Sequence, residues 1–450
     1  MSAPARLRPR LHFTARQGWT NDPHGIVHVD GRYHMFFQYN PDSVNWSPRC
    51  HWGHALSDDL ITWEEAEVAL SPQDGEVGCW SGSAVVDDRA PVIAYTRIPA
   101  GDWARGQVAL ARPSAGMLDW VREPPHAVIS GPPEDLDIVA FRDPQVRRQD
   151  GAWKAVLGAG LAGLGGCALQ YASEDLQHWT FDGILAVRAN AERDPVWTGQ
   201  VWECPQLLQV GDDWVLIMSV WDNHRPYDVA YAIGDYDGRA TFTARRYGHF
   251  SHGAELYATT TFRDVEGRPC AMSWLRERGT LAPEGSPWCS AMSLPHVLGI
   301  VDGALTVSQH PALEAVLSTT SALGDAPPGG GLEVPVPGPV WRLRFRVNGY
   351  RSGGFALTVT GDGQSFALNT AGESLSAVDS WGAVLLKMPI SPTDSADVDI
   401  VVDADILEIT LTGTEGIAAT RIPVSGSGDI RISPLGRSSI TGARLFALLG

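Results

Sequence analysis

Two stretches of the chain read alike: Ser57-Asp58-Asp59-Leu60-Ile61-Thr62-Trp63 and Ser173-Glu174-Asp175-Leu176-Gln177-His178-Trp179, both S-x-D-L-x-x-W. Between them, Met117-Leu118-Asp119-Trp120 keeps part of the pattern, so Trp63, Trp120 and Trp179 stand 57 and 59 residues apart. Phe242, after the Asp237-Gly238 turn, lies 63 residues further on and marks a degenerate fourth copy. A multi-strand unit that recurs about every 60 residues reads as a propeller blade. Five such units fill the segment from about residue 10 to about residue 310.

The flanks of these marks read as strands. Runs at 27–29, 33–38, 84–86, 92–95, 153–157 and 214–220 are short and rich in β-branched or aromatic residues. Asp30-Gly31, Asp150-Gly151 and Asp212-Asp213 are turn signals between pairs of them. No long stretch sustains helical periodicity. Residues 311–317 predict one short helix, and 324–339, dense in Pro and Gly, reads as a loop or linker. Beyond it apolar residues alternate with polar ones: Leu343, Phe345, Val347; Phe355, Leu357, Val359; Val398, Ile400, Val402; Leu407, Ile409, Leu411. Period two with frequent turns predicts a β-sandwich. The expected architecture is therefore all-β: a five-bladed β-propeller over residues 1–315, a linker over 316–340, and a β-sandwich over 341–450 of structural or auxiliary use.

Composition narrows the function. The 450 residues carry 34 Lys and Arg against 52 Asp and Glu, a net charge of −18. Such a surface repels phosphate backbones, so nucleic acid is not an expected partner. No apolar run approaches a membrane-spanning length; the longest, 383–390, is interrupted by Lys387. The N-terminal sequence MSAPARLRPRLHF has no apolar signal region, and six scattered cysteines form no C-x-x-C pair. A cytoplasmic protein with reduced thiols is expected. Oligomeric state is not legible.

Three segments concentrate the chemistry: Trp19-Thr20-Asn21-Asp22-Pro23-His24-Gly25, Phe141-Arg142-Asp143-Pro144 and Trp202-Glu203-Cys204-Pro205. Each sets a carboxylate beside a proline, which fixes φ and holds a strand end in one geometry. Taken singly, Asp22 and Asp143 read as ordinary turn residues. With blades near 60 residues, however, Asp22, Asp143 and Glu203 fall at similar phases of blades one, three and four, and converge on a central channel. Two carboxylates flanking a glycosidic bond serve as nucleophile and general acid, and a third stabilises an oxocarbenium-like transition state. Arg142 is placed to bind sugar hydroxyls or to hold a carboxylate charged. No EF-hand, H-E-x-x-H or Walker-A pattern occurs, and Cys50-His51 lacks partners at zinc spacing, so neither a metal nor a cofactor is expected. Trp63, Trp120 and Trp179 follow the repeat and are expected to pack between blades. Trp19, Trp46, Trp80 and Trp274 break it and are candidates for sugar platforms. His24 and His54 are expected to be structural.

The ordered set of motifs resembles glycoside hydrolase family 32, the invertases, fructan exohydrolases and related β-fructosidases. WTNDPHG is similar to the family's W-M-N-D-P-N-G, FFQYNP to F-Y-Q-Y-N-P, HWGHA to W-G-H-A and WSGSAV to F-S-G-S-A-V. FRDP and WECP resemble its R-D-P and E-C motifs; SAMSLPHVL and DADILEITLTG resemble later blocks. The resemblance implies a retaining enzyme in which Asp22 is the nucleophile, Glu203 the acid and then the base, and Asp143 the transition-state stabiliser. It further implies that Asn21, Gln38, Trp46, Trp80, Ser81, Arg142 and Trp274 contact substrate. The expected activity is exo-acting release of fructose from sucrose and short fructooligosaccharides, with a small-molecule sugar as substrate and neither nucleic acid nor membrane as a partner. Hydrolysis of sucrose phosphate, inulin or levan, fructosyl transfer, and a non-catalytic sugar-binding role are the alternatives. His24, Thr20, Trp80 and Glu255 depart from the family pattern and bear on the subsites.

Overall fold

The computed structural model describes residues 6–448 apart from 88–89, 115–118, 280–281, 362, 391–392, 413 and 424–426. The described chain is nearly all β; α-helix is confined to Leu313–Val316, within the stretch where a short helix is expected. Five sheets occupy its first two thirds, each built around an antiparallel meander. The first runs through Gly18–Val29, Arg32–Asn40, His51–Ser57 and Glu64–Glu65. The second holds Glu76–Asp87, Ala90–Pro99, Gln107–Pro113 and Trp120–Arg122. Ile138–Gln149, Ala152–Leu161, Gly165–Ser173 and Thr180–Val187 make the third. The fourth is Val201–Val210, Asp213–Asp222, Arg225–Tyr236 and Phe242–His249. The fifth is built on Leu256–Arg263, Pro269–Leu275, His296–Val301 and Ala304–Gln309. The opening strand of each sheet touches the opening strand of the next, and that of the fifth returns to Gly18–Val29.

The repeated heptad explains itself in this frame. In both full copies the serine hydroxyl caps the aspartate N–H at 3.2 Å, the leucine sits at positive φ (69° and 66°), and the aspartate accepts backbone N–H groups from the residues before tryptophan. The tryptophan indole then donates to the leucine carbonyl, at 2.9 Å from Trp63 and 2.6 Å from Trp179. The heptad is thus one turn used twice, delivering the chain to the last strand of sheets one and three. Trp120 and Phe242 open the last strands of sheets two and four. Met117 and Leu118, of the partial copy, lie outside the described residues. Asp30-Gly31 and Asp150-Gly151 both have two consecutive positive φ values, as a two-residue hairpin turn requires.

Two larger sheets follow, of seven and six strands. The alternating residues of 343–411 all point into one buried cluster between them, with Phe355, Leu357, Ile400 and Ile409 fully shielded. The stretch 316–340, expected as a linker, instead contributes a strand to each sheet: Leu317–Ala326 pairs with Ser439–Leu448, and Leu332–Pro335 with Asp429–Gly436. Both are edge strands, where proline and glycine are tolerated because one side of the ladder needs no donor. The seven-stranded sheet also takes in Ser251–His252, which pairs in parallel with Ile417–Arg421.

The N-terminal segment is pinned to this sheet by buried charge. Asp403 accepts the backbone N–H groups of Arg10, Leu11 and His12 at 2.8, 2.7 and 2.8 Å, and His12 Nδ1 lies 2.9 Å from it. His12 Nε2 stands 3.3 Å from Glu408, which also binds His296 at 3.1 Å. Burial alone would lower the His12 pKa, but the hydrogen bonds to Asp403 and Glu408 outweigh it and hold it at about 9.

Candidate active site

The five opening strands break their ladders at the same height. Register shifts bracket Asn21-Asp22, Ser81, Asp143-Pro144, Cys204-Pro205 and Ala258-Thr259. A bulge leaves residues unpaired and re-aims their side chains, and here residues in or flanking all five bulges line one cavity. Proline is accommodated in or beside three of them because no ladder N–H is needed there. Asp143, Cys204 and Ala258 hold φ values of 59°, 46° and 48°, backbone strain that the surrounding sheets must sustain.

The cavity measures about 810 Å³, and every candidate named from the sequence lines it: Asp22, Asp143, Glu203, Asn21, Gln38, Trp46, Trp80, Ser81, Arg142 and Trp274. The three carboxylates sit in three different settings. Asp22 accepts Asn21 Nδ2 on Oδ1 at 2.9 Å and the Ser81 hydroxyl on Oδ2 at 2.6 Å. Burial pushes its pKa up, while those two hydrogen bonds oppose the rise. Asn21 is itself fixed by Trp19 Nε1 at 2.9 Å. Asp143 is more deeply enclosed; its N–H donates to Thr96 Oγ1 at 2.8 Å and its Oδ2 accepts the Cys204 N–H at 3.0 Å. Burial first, then the nearby Glu203 and Asp22, raise its pKa to about 7 against the pull of Arg142. Glu203 is gripped on both oxygens. Arg142 Nε and Nη2 reach Oε1 at 3.1 and 3.0 Å, and the Tyr257 hydroxyl donates to Oε2 at 2.6 Å. The Cys204 thiol stands between the other two, 3.6 Å from Asp22 and 3.7 Å from Asp143.

Aromatic rings form the walls and rim. Trp46, 49% exposed, meets Trp80 edge-on at 6.1 Å; Trp19 and Trp274 meet at 5.7 Å. Gln38 Nε2 is anchored to the Cys79 carbonyl at 2.9 Å, and Trp80 Nε1 to that of Pro48 at 2.9 Å. Sequence reading did not place Tyr257, Trp103, Trp221, Asn223, His224, Arg276 or Glu277 in the site, yet all line the cavity. Tyr257 lies two residues after Glu255, in the stretch Glu255-Leu256-Tyr257-Ala258 that is similar to the family's D-F-Y-A, and so carries a local signal. Trp221 lies at the end of a strand and the others sit on hairpin tips and loops, with no local mark of orientation.

Two departures from the family pattern stand apart from the cavity. His24 is buried against Trp52, ring centroids 3.9 Å apart, with neither ring nitrogen hydrogen-bonded; burial drives its pKa to about 3, and it is a neutral packing residue. Glu255 is likewise buried and does not line the cavity. Elsewhere Asp264, Cys270 and His310, at strand ends of the fifth sheet, bring together three side chains of metal-ligating type. The Asp264 carboxylate is already occupied by Arg268 at 2.5 Å and His310 at 3.0 Å, and His310 Nδ1 accepts the Ala312 N–H.

Comparison with known proteins agrees with this geometry. The model of the glycosyl hydrolases family 32 N-terminal domain matches residues 12–311. A sucrose-6-phosphate hydrolase of Escherichia coli is 33% identical over 322 residues, covering 68% of this chain and 65% of that protein. A raffinose invertase of the same organism is 32% identical over 321 residues, with the same two coverages. The chain thus aligns with just under two thirds of the length of both relatives. In fold it is similar to a solved Bombyx mori family 32 β-fructofuranosidase in complex with sucrose. That match has a TM-score of 0.82 at 24% identity and covers 98% of this chain and 94% of that one.

Proposed function

The chain belongs to glycosyl hydrolase family 32, and from that premise we propose that it is a retaining, exo-acting β-fructofuranosidase that releases fructose from sucrose and short fructooligosaccharides. The carrying observation is the meeting of Asp22, Asp143 and Glu203 in one cavity, each in a different hydrogen-bonded setting. The cycle of neighbouring opening strands supports a five-bladed propeller over residues 1–315. The two packed sheets support a sandwich to which 316–340 adds edge strands.

In this reading Asp22, positioned by Asn21 and Ser81, attacks the anomeric carbon of the terminal fructosyl unit. Glu203, its direction set by Arg142 and Tyr257, passes its proton to the departing glycosidic oxygen. A covalent fructosyl ester forms on Asp22. Glu203 then draws a proton from water, which attacks the same carbon and frees Asp22, so configuration is retained. Asp143 has one oxygen tied to the Cys204 N–H; Oδ1, which takes no hydrogen bond from the described residues, is the one that faces fructosyl hydroxyls.

One relative's name raises a phosphorylated substrate. Among the described lining residues, Arg142 and Arg276 are the permanent cations, and both are engaged. Arg142 pairs with Glu203, while the terminal nitrogens of Arg276 donate to the carbonyls of Pro226, Tyr227 and Ala254. The terminal nitrogens of both already have acceptors, and with an aromatic rim of Trp46, Trp103 and Trp221 the cavity suits a neutral sugar. Competition between sucrose and sucrose phosphate tests this: a higher kcat/KM for sucrose is expected, and a higher value for the phosphate ester would reverse the assignment. Product analysis at high sucrose separates hydrolysis from fructosyl transfer.

A further inference from the structure

Past their bulges, the five opening strands line a second cavity of about 680 Å³, at the far end from the carboxylates. A floor of hydrogen bonds divides the two. Ser83 Oγ accepts the Val146 N–H at 2.8 Å, Gln145 Oε1 that of Leu207 at 2.8 Å, and Gln206 Oε1 that of Thr261 at 3.0 Å. Arg147, Arg148 and Arg263 line the far cavity together with Asp150 and Asp237, so its wall is net positive in a chain of charge −18.

Arg147, enclosed where Arg148 and Arg263 are exposed, differs from most of the protein's other enclosed arginines, although Arg276 is likewise held by carbonyls. Arg122, Arg142, Arg342 and Arg421 each pair with a carboxylate. None of the far-cavity three has a carboxylate partner among the described residues. Arg147 lies between two rings, 6.0 Å from that of Trp214 and 5.3 Å from that of Tyr236. Its Nη2 donates to the neutral amides of Gln149 at 3.2 Å and Gln170 at 3.4 Å, and the Tyr236 hydroxyl is a further uncharged polar neighbour; its Nε and Nη1 are buried with no close hydrogen-bond acceptor among the described residues. Arg263 bonds only the carbonyls of Gly267 and Gln209, and the exposed Arg148 stacks on Trp153. The two aspartates do not complete the charge: Asp237 is held by the N–H groups of Arg239 and Thr241, and Asp150 meets the Gln149 amide. A guanidinium taken out of water without a counter-charge is unfavourable, and burial lowers the Arg147 pKa accordingly.

We propose that this far cavity is a second, anion-binding site, which takes a small molecule bearing a phosphate or carboxylate group on Arg147, with Arg148 and Arg263 at its rim. The oxyanion supplies the missing counter-charge, and the surrounding glutamines supply donors to its remaining oxygens. The site is independent of the fructosidase reading, since no residue lines both cavities.

Titration calorimetry on the full chain, in a buffer free of other oxyanions, tests it with inorganic phosphate in one arm and succinate in the other. Saturable binding of at least one is expected, weakened about tenfold or more in Arg147→Gln, the loss of one charged hydrogen-bond donor. Circular dichroism checks that the variant is folded. If Arg147→Gln does not fold, the double variant Arg148→Gln/Arg263→Gln, confined to exposed side chains, carries the same expectation. The tighter arm identifies the oxyanion. No saturable binding in either arm, or isotherms unaltered in both variants, overturns the site.

Discussion

The hydroxyl of Tyr257 donates to Glu203 Oε2 at 2.6 Å and shares its proton with the Val220 carbonyl at 3.2 Å. With Arg142 on Oε1, this fixes the carboxyl plane that must face the glycosidic oxygen. Tyr257→Phe keeps the ring's packing and removes only the donor. It is expected to lower kcat by about tenfold with KM changed little, as for a charged hydrogen bond used in orienting an acid. Initial rates on sucrose decide it; an unchanged kcat assigns Tyr257 to packing alone.

Asp143 makes the site's pH dependence legible. Its folded pKa, about 7, lies above the usual carboxylate value because it is buried beside two other acids. The fold therefore favours the neutral form. That contribution to stability is full below the unfolded pKa near 3.8 and is lost as pH rises through 7. At pH 8 Asp143→Asn, which retains an acceptor for the Cys204 N–H, is expected to raise Tm above that of the native chain while activity collapses. A lower Tm in the variant at pH 8 would contradict the assignment.

His12 gives the opposite kind of group with the same sign. Its pKa is raised from 6.5 to about 9, so the cation held between Asp403 and Glu408 stabilises the fold fully below pH 6.5. The contribution, of order a few kcal/mol, disappears as pH climbs through 9. Denaturant midpoints should drop between pH 7 and 10 in the native chain, and His12→Gln should be less stable at pH 6 but nearly flat across that range. Equal slopes in both proteins would remove His12 from the account.

Much of this was legible in sequence, for identifiable reasons. Alternation such as Leu343, Phe345, Val347 reports burial directly, because side chains alternate across a strand. Runs such as 153–157 and 214–220 lie inside observed strands. The three carboxylates were legible because the bulges that aim them are local features marked by Asp-Pro or Cys-Pro. What was not legible depends on contacts between distant elements. Trp202 and Trp221 look alike in sequence, yet Trp202 is fully buried, its ring where a Cβ on Gly166 would stand, while Trp221 faces the cavity. The stretch 316–340 reads as linker by composition, but its partners on strands ninety or more residues away decide that it pairs.

The two large sheets are not bystanders to the cavity. Arg421, on the seven-stranded sheet, donates to the carbonyls of Leu275 and Arg276 at 3.4 Å and to Glu277 at 3.3 Å, bracing the wall that follows Trp274. Arg421→Gln leaves Glu277 with less counter-charge in a buried setting. It is expected to lower Tm by several degrees and to raise KM for sucrose severalfold. A destabilised variant with unaltered KM would restrict the role to stability.

The most direct test of the central claim is fructose release from sucrose by the purified native chain and by Glu203→Ala, with circular dichroism to check that the variant is folded. The account predicts release by the native protein and a loss of at least about a hundredfold in the folded variant, as for removal of a general acid. Release at near-native rate by Glu203→Ala, or none by the native chain from sucrose or any short fructooligosaccharide, would contradict it.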